Sequence, residues 1–241
     1  MHIHKPLINK KKDDIIEKAM ENSEKLLKEH AEAFEKFASL LSEYNQKFNL
    51  TAITKPQEVE IKHFLDSLAG ERYFPQGAAV AEVGSGAGFP SVPLMIARGD
   101  LRFTLIESTG KKCEFLRTVI RELNLNGEVV NLRAEDAGRD VRFREKFDVC
   151  CARAVARLNT LSEYCLPLVR VGGIFLAYKG ETDETAEAQH AISVLGGGET
   201  DVQKYELPSD MGRRMLVCIP KKRATPPQYP RGQGRERTKP L

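Results

Sequence analysis

The chain has no tryptophan, and no apolar run approaches the ~20 residues that a membrane-crossing helix needs. It starts Met1-His-Ile-His-Lys, too polar and charged for a secretory signal. These absences exclude an integral helical membrane protein and lead to an expected cytoplasmic location. Cysteine is scarce, and positions 113, 150, 151, 165 and 218 lack metal-ligand spacing, so no metal site is expected. Cys150-Cys151 lie in an apolar strand-like run and read as packing in a reduced interior. Neither sign of charge dominates: 37 basic against 34 acidic side chains leave +3. From Lys221 onward, however, seven basic residues face one acidic one, and Lys10-Lys-Lys12 lies near the start. Such clustering suits a polyanionic partner, or equally a pair of solvated ends.

The chain does hold an apolar run, Ala78-Ala-Val-Ala-Glu-Val83, that reaches Gly84, Gly86 and Gly88 with Phe89 behind them. Glycine allows a tight turn and close approach of a ligand to the backbone. Glu82 before the loop, and Phe89 where the dinucleotide fingerprint G-x-G-x-x-G nears its third glycine, argue against a bound pyrophosphate. An acid followed by G-x-G-x-G suits an adenosine ligand whose other end is cationic, namely S-adenosylmethionine. Glu107 ends a second strand, about 20 residues on, where a carboxylate can accept hydrogen bonds from both ribose hydroxyls.

Strands are expected at 79–83, 102–107, 129–134, 147–152, 173–178, about 200–206 and 214–219. Helices are expected between them at about 90–98, 111–124, 158–169 and 183–194. The helix at 111–124 carries Phe115, Leu116, Val119, Ile120 and Leu123 on one stripe. This alternation predicts an α/β, Rossmann-like, seven-stranded methyltransferase sheet, mostly parallel with an antiparallel last strand. An N-terminal helical extension over 1–75 precedes it, including an amphipathic helix with Phe34, Phe37, Leu40, Leu41, Tyr44 and Phe48 and another at 58–68. The methyltransferase domain covers 76–220. Residues 221–241 lack periodicity and are expected to form a basic, flexible tail.

Three segments resemble one family: Tyr44-Asn-Gln-Lys-Phe-Asn-Leu-Thr-Ala-Ile53, Glu60-Ile-Lys-His-Phe-Leu-Asp-Ser-Leu68 and Val83-Gly-Ser-Gly-Ala-Gly-Phe-Pro90. Glu107-Ser-x-x-Lys-Lys112, Arg133-Ala-Glu135, Arg153-Ala-Val-Ala156 and Lys179-Gly180 follow in the same order. The family is RsmG, also called glucose-inhibited division protein B, and the likeness covers about residues 34 to 220. It implies methyl transfer from S-adenosylmethionine to N7 of one guanine in 16S ribosomal RNA. The partner is then the 30S subunit or its assembly intermediate, with the protein acting as a monomer. The resemblance sets Gly84 and Phe89 against the cofactor, Glu107 on the ribose and Ala134-Glu135 along the adenine edge. Arg153 matches a binding-site arginine, and His63 is assigned to seating the guanine, oriented by Asp66 three residues on. Glu82 stands where the family often has Asp, Ser91 where it usually has Gly, and the tail centre Gly232-Gln-Gly-Arg-Glu-Arg237 departs from the pattern.

The chemistry is compatible with what is missing. Guanine N7 has an in-plane lone pair and no proton to lose, so alignment matters more than a strong base. No Asn/Asp-Pro-Pro-Tyr/Phe motif for exocyclic amines is present, nor a Pro-Cys or Thr-Cys for attack on a pyrimidine. Alternatives are a methyltransferase for another RNA, a protein or a small molecule, and a non-catalytic ribosome- or RNA-binding module. A nicotinamide-dependent oxidoreductase is disfavoured by Phe89 and the lack of Tyr-x-x-x-Lys.

Overall fold

A computed structural model describes residues 7–241, with side chains from residue 17 onward. His2 and His4 lie outside the described residues, and so do the side chains of Lys10, Lys11 and Lys12. Helices α1 (Leu7–Glu29) and α2 (Ala31–Phe48) come first. Phe34, Phe37 and Leu41 fall on one helical stripe of α2 and are buried. Asn49 then caps α2 in the left-handed conformation and sends its N–H to Asn45. The next helix runs from α3 (Pro56–Val59) through a π-helical stretch, Glu60–Leu65, into α4 (Asp66–Leu68). Pro56 sits where a missing N–H costs nothing.

From Ala79 strands and helices alternate: β1 (Ala79–Val83), α5 (Ser91–Ala97), β2 (Arg102–Ile106), α6 (Gly110–Glu122), β3 (Gly127–Val130), α7 (Ala134–Ala137) and β4 (Phe147–Arg153). They continue as α8 (Leu158–Cys165), β5 (Val169–Lys179), α9 (Thr185–Val194), β6 (Asp201–Glu206), β7 (Arg213–Pro220) and α10 (Arg235–Thr238). The sheet order is β3-β2-β1-β4-β5-β7-β6, with β7 antiparallel to both neighbours and every other pairing parallel. The expected architecture is therefore the observed one. Among the described residues no helix is long and apolar enough to cross a membrane.

Boundaries differ where special residues intervene. The third strand lies at Gly127–Val130 rather than 129–134, because Asn124 turns the chain at positive φ directly after α6. Gly127 can join the strand because a Cβ there would come within 2.8 Å of the Met95 sulfur. The fifth strand begins at Val169, and its register slips between Phe147 and Val149, a bulge that takes in Gly172 and Gly173. The helix expected through 169 tightens to a 3-10 turn at Leu166–Leu168, around Pro167.

Apolar side chains form two clusters, in keeping with a sheet covered on both faces. Phe34, Phe37, Phe64 and Phe89 pack with Leu116 and Leu176 in one; Val83, Leu161, Phe175 and Ile219 belong to the other. The N-terminal helices thereby share a core with the sheet. Each such fully buried phenylalanine stabilises the fold by about 1.5–3 kcal/mol.

The segment beyond 220, expected from its composition to be flexible, makes polar contacts with the body of the fold. Lys221 is fully buried, with its ammonium on the Leu166 carbonyl and the Thr225 hydroxyl. Arg144 donates to the carbonyls of Thr225 and Tyr229, both at 2.7 Å. Arg231 makes a two-pronged pair with buried Glu163, at 2.9 and 2.7 Å. Thr160 donates to the Glu236 carbonyl at 2.8 Å. Arginines of the body hold backbone carbonyls of the tail, and the Lys221 and Arg231 side chains reach back to the body, contacts that leave no hydrophobic periodicity.

Candidate active site

Ligands of open α/β sheets bind beyond the carboxyl ends of the strands, and the strand register assembles the site there. Glu82 pairs with Cys151, so Gly84 and Arg153, each two residues further on, emerge level with one another. Gly84 continues the ladder by donating to the Ile106 carbonyl at 2.8 Å. Gly84, Gly86 and Gly88 all have positive φ, of 69°, 53° and 88°. At Gly84 a Cβ would lie 2.6 Å from a Val155 methyl, and at Gly88 2.6 Å from one of Val92. At Gly86 the nearest protein atom would be 3.7 Å away, so its bare backbone is not demanded by the protein's own packing.

Glu107 is buried and fixes this loop. Its two carboxylate oxygens accept from the N–H groups of Gly86, at 3.0 Å, and Thr109, at 2.8 Å. Each oxygen keeps another lone pair, which suits a vicinal diol. Ala134 and Glu135 begin α7 after β3, both half-buried. Glu82 is wholly buried; its Oε1 accepts weakly from the Ser91 N–H at 3.4 Å, while Oε2 and the Ser91 hydroxyl have no partner. Burial pushes the Glu82 carboxyl up to about 7. An orphaned buried carboxylate oxygen, a diol-ready acid and an open Gly86 fit a cationic nucleoside such as S-adenosylmethionine.

On the other side of the loop, Arg153 reaches the helix 56–68. Its guanidinium donates to the Lys62 carbonyl at 2.9 Å, to Asp66 at 2.8 Å and to His63 Nδ1 at 2.8 Å, and lies 4.9 Å over the Phe89 ring. An arginine can only donate, so Nδ1 is the acceptor and the proton sits on Nε2. Nε2 then donates to the Thr51 hydroxyl at 2.9 Å, and the Lys62 carbonyl 3.2 Å from Nδ1 is merely close. His63 is stacked on Phe89 with ring centroids 4.2 Å apart. Burial, then the neighbouring Arg153 charge, push the imidazole down to about 3, so it is neutral at working pH.

Several expectations need restating. His63 and Asp66 do not orient one another; His63 in the π-helical stretch and Asp66 at the start of α4 both meet Arg153, and Asp66 otherwise meets Tyr205 at 2.7 Å and Arg214 at 3.8 Å. Phe89 is a buried platform for His63 and Arg153, packed on Phe37, so its ring is turned to the helices. Sequence reasoning passed over Thr51, Tyr205 and the pairing of Asp66, because their partners are up to 139 residues away and carry no local signal. A cavity of about 280 Å³ opens beside these groups, lined by Lys62, His63, Asp66, Arg153, Lys179 and Arg214.

Relatives and neighbours are consistent with this geometry. A protein from Brevibacillus brevis named ribosomal RNA small subunit methyltransferase G is 48% identical over 215 residues, 87% of this chain and 90% of its own length. One of that name from Staphylococcus aureus is 44% identical over 232 residues, 94% and 97% of the two chains. Cofactor-bound Rv0187 from MTB has the same fold, with a TM-score of 0.54 at 17% identity, over 79% of this chain and 89% of that one. So does a Burkholderia thailandensis N1-methyltransferase with bound S-adenosylhomocysteine, at 0.51 and 13%, over 66% and 77%. With the model of rRNA small subunit methyltransferase G matching residues 30–213, the chain belongs to that family.

Proposed function

We propose that the protein transfers a methyl group from S-adenosylmethionine to N7 of a guanine in small-subunit ribosomal RNA. The observation that carries this reading is the charge balance at the end of β4. Methylation at N7 leaves the guanine ring cationic, so an uncompensated positive charge nearby would oppose the transition state. Arg153 is paired with buried Asp66, and His63 is held neutral. Arg153 can therefore donate at the purine edge without adding net positive charge, while His63, engaged through Nδ1 by Arg153 and through Nε2 by Thr51, adds none either.

When bound, the cofactor supplies an electrophilic methyl on a sulfonium whose sulfur takes the electron pair as the C–S bond breaks and the C–N7 bond forms. Glu107 would hold its ribose, Ala134-Glu135 its adenine edge and Glu82 its ammonium, with Gly84, Gly86 and Gly88 giving the backbone surface. Arg153 and His63 orient the base in the cavity of about 280 Å³. Lys62, Lys179 and Arg214 on its wall suit the flanking phosphates. No residue needs to remove a proton, so positioning supplies the rate. In A-form RNA a purine N7 lies in the deep, narrow major groove beyond the reach of side chains, which points to an unstacked nucleotide in an irregular RNA segment of the 30S subunit or its assembly intermediate. The same reading carries the cytoplasm as compartment and a single chain as the working unit.

The test uses methyl-labelled S-adenosylmethionine and 30S subunits lacking the modification, with borohydride/aniline cleavage to report N7-methylguanine. One cleavage site in 16S rRNA is the expected result. Cofactor binding without label in rRNA would redirect the reading to another acceptor.

A further inference from the structure

Asp66 is a hub as well as a partner for Arg153. Its side chain is 4% exposed and meets three donors from different parts of the fold. Oδ2 accepts from Arg153 on β4 at 2.8 Å, while Oδ1 accepts from the Tyr205 hydroxyl at 2.7 Å. Arg214 Nε, on β7, stands 3.8 Å from Oδ1, near enough for an ion pair but not hydrogen-bonded. Tyr205 belongs to β6, the far edge of the sheet from β3, and its ring is buried in the same cluster as Phe64 and Phe89.

We propose that Tyr205 is a positioning residue for methyl transfer: by occupying Asp66 Oδ1 it turns the carboxylate so that Oδ2 faces Arg153 rather than Arg214. The physical reason lies in the geometry of a carboxylate. Its terminal torsion is broad and roughly two-fold, so one contact does not fix the plane, whereas a hydrogen bond on each oxygen does. Arg214 is the competitor, because a guanidinium readily takes both oxygens of one carboxylate. With the tyrosine hydroxyl on Oδ1, that arrangement is blocked, and Arg153 stays on the Lys62 carbonyl, His63 Nδ1 and the Phe89 face together. The inference rests on the reading of Arg153 as the acceptor-site arginine.

Tyr205→Phe keeps the ring in its core and removes only the hydroxyl. In rRNA methylation the expected result is kcat lower by about 10-fold, the KM for S-adenosylmethionine unchanged, because only the orienting contact is lost. In the full-length protein labelled with ¹⁵N-arginine, hydrogen bonds on both Nη atoms of Arg153 give two separate wild-type side-chain signals. Tyr205→Phe should average them, and adding Arg214→Ala should separate them again. A variant that is merely less stable, with wild-type kcat and two Arg153 signals, would overturn the proposal. Signals that stay averaged after Arg214→Ala would overturn the competition on which it depends. Absence of methyl transfer by the wild-type protein would count against the function, while the arginine signals would still decide the role of Tyr205.

Discussion

Gly86→Ala separates a glycine kept for a ligand from glycines kept for the fold. At Gly86 the new methyl meets nothing nearer than 3.7 Å, so the protein's own packing accepts it. What remains is backbone strain, because φ is 53° and an L-residue in the left-handed region costs roughly 1–2 kcal/mol. The lower entropy of the unfolded alanine chain returns about 0.4–1 kcal/mol of this. The net loss is then about 1 kcal/mol, or about 2–4 °C in Tm for a chain of this size. If the cofactor lies against this backbone, the same methyl must be accommodated by ligand or loop at about 1–3 kcal/mol, roughly 5–150-fold in Kd. Gly84→Ala serves as the contrast, since its Cβ would collide with Val155 at 2.6 Å and lower stability first. Calorimetric titration with S-adenosylmethionine, beside thermal melts of the free protein, reads both quantities. Wild-type affinity in a folded Gly86→Ala protein would refute the placement of the cofactor on this loop.

Arg153→Ala should reduce methyl transfer about 10²-fold or more. It also leaves Asp66 buried without its main cation, destabilising by about 3 kcal/mol; adding Asp66→Asn should recover stability in urea melts but not activity. His63 is held near 3 against 6.5 when unfolded, so its contribution is complete above pH 6.5 and declines as pH falls towards 3. The stability difference between wild type and His63→Gln should therefore shrink by about 2 kcal/mol between pH 6.5 and 5, and parallel curves would contradict the burial argument. Glu82 has the opposite sign: raised to about 7, it stabilises the free protein below pH 4.5 and loses that contribution as pH rises through 7. A cofactor ammonium that recharges Glu82 must release a proton near pH 6, seen as buffer-dependent binding heat and lost in Glu82→Gln. In the tail, Arg231→Ala would strand buried Glu163 and cost about 3 kcal/mol, lowering Tm by about 6–12 °C; an unchanged melt would mean that the tail is not anchored there.

Local chemistry made much of this protein legible in its sequence. Alternating apolar strands and striped helices announced a seven-stranded α/β sheet, and an acid before three spaced glycines announced a nucleoside loop, because both depend on neighbours in the chain. The same locality limited the reading. The strand at 127–130 was misplaced because Gly127 joins the sheet for want of a side chain, a property visible only against Met95. The tail read as solvated because its partners, Arg139, Arg144 and Glu163, lie far back in the chain. Residues Arg153 and His63 were nameable, yet their states were not. Only the tertiary structure decided that Arg153 is balanced by Asp66, that His63 is a neutral acceptor on Phe89, and that a tyrosine from the far strand holds the carboxylate between two arginines. Protonation and orientation are set by burial and by contacts across the sheet, and those exist only once distant segments have packed together.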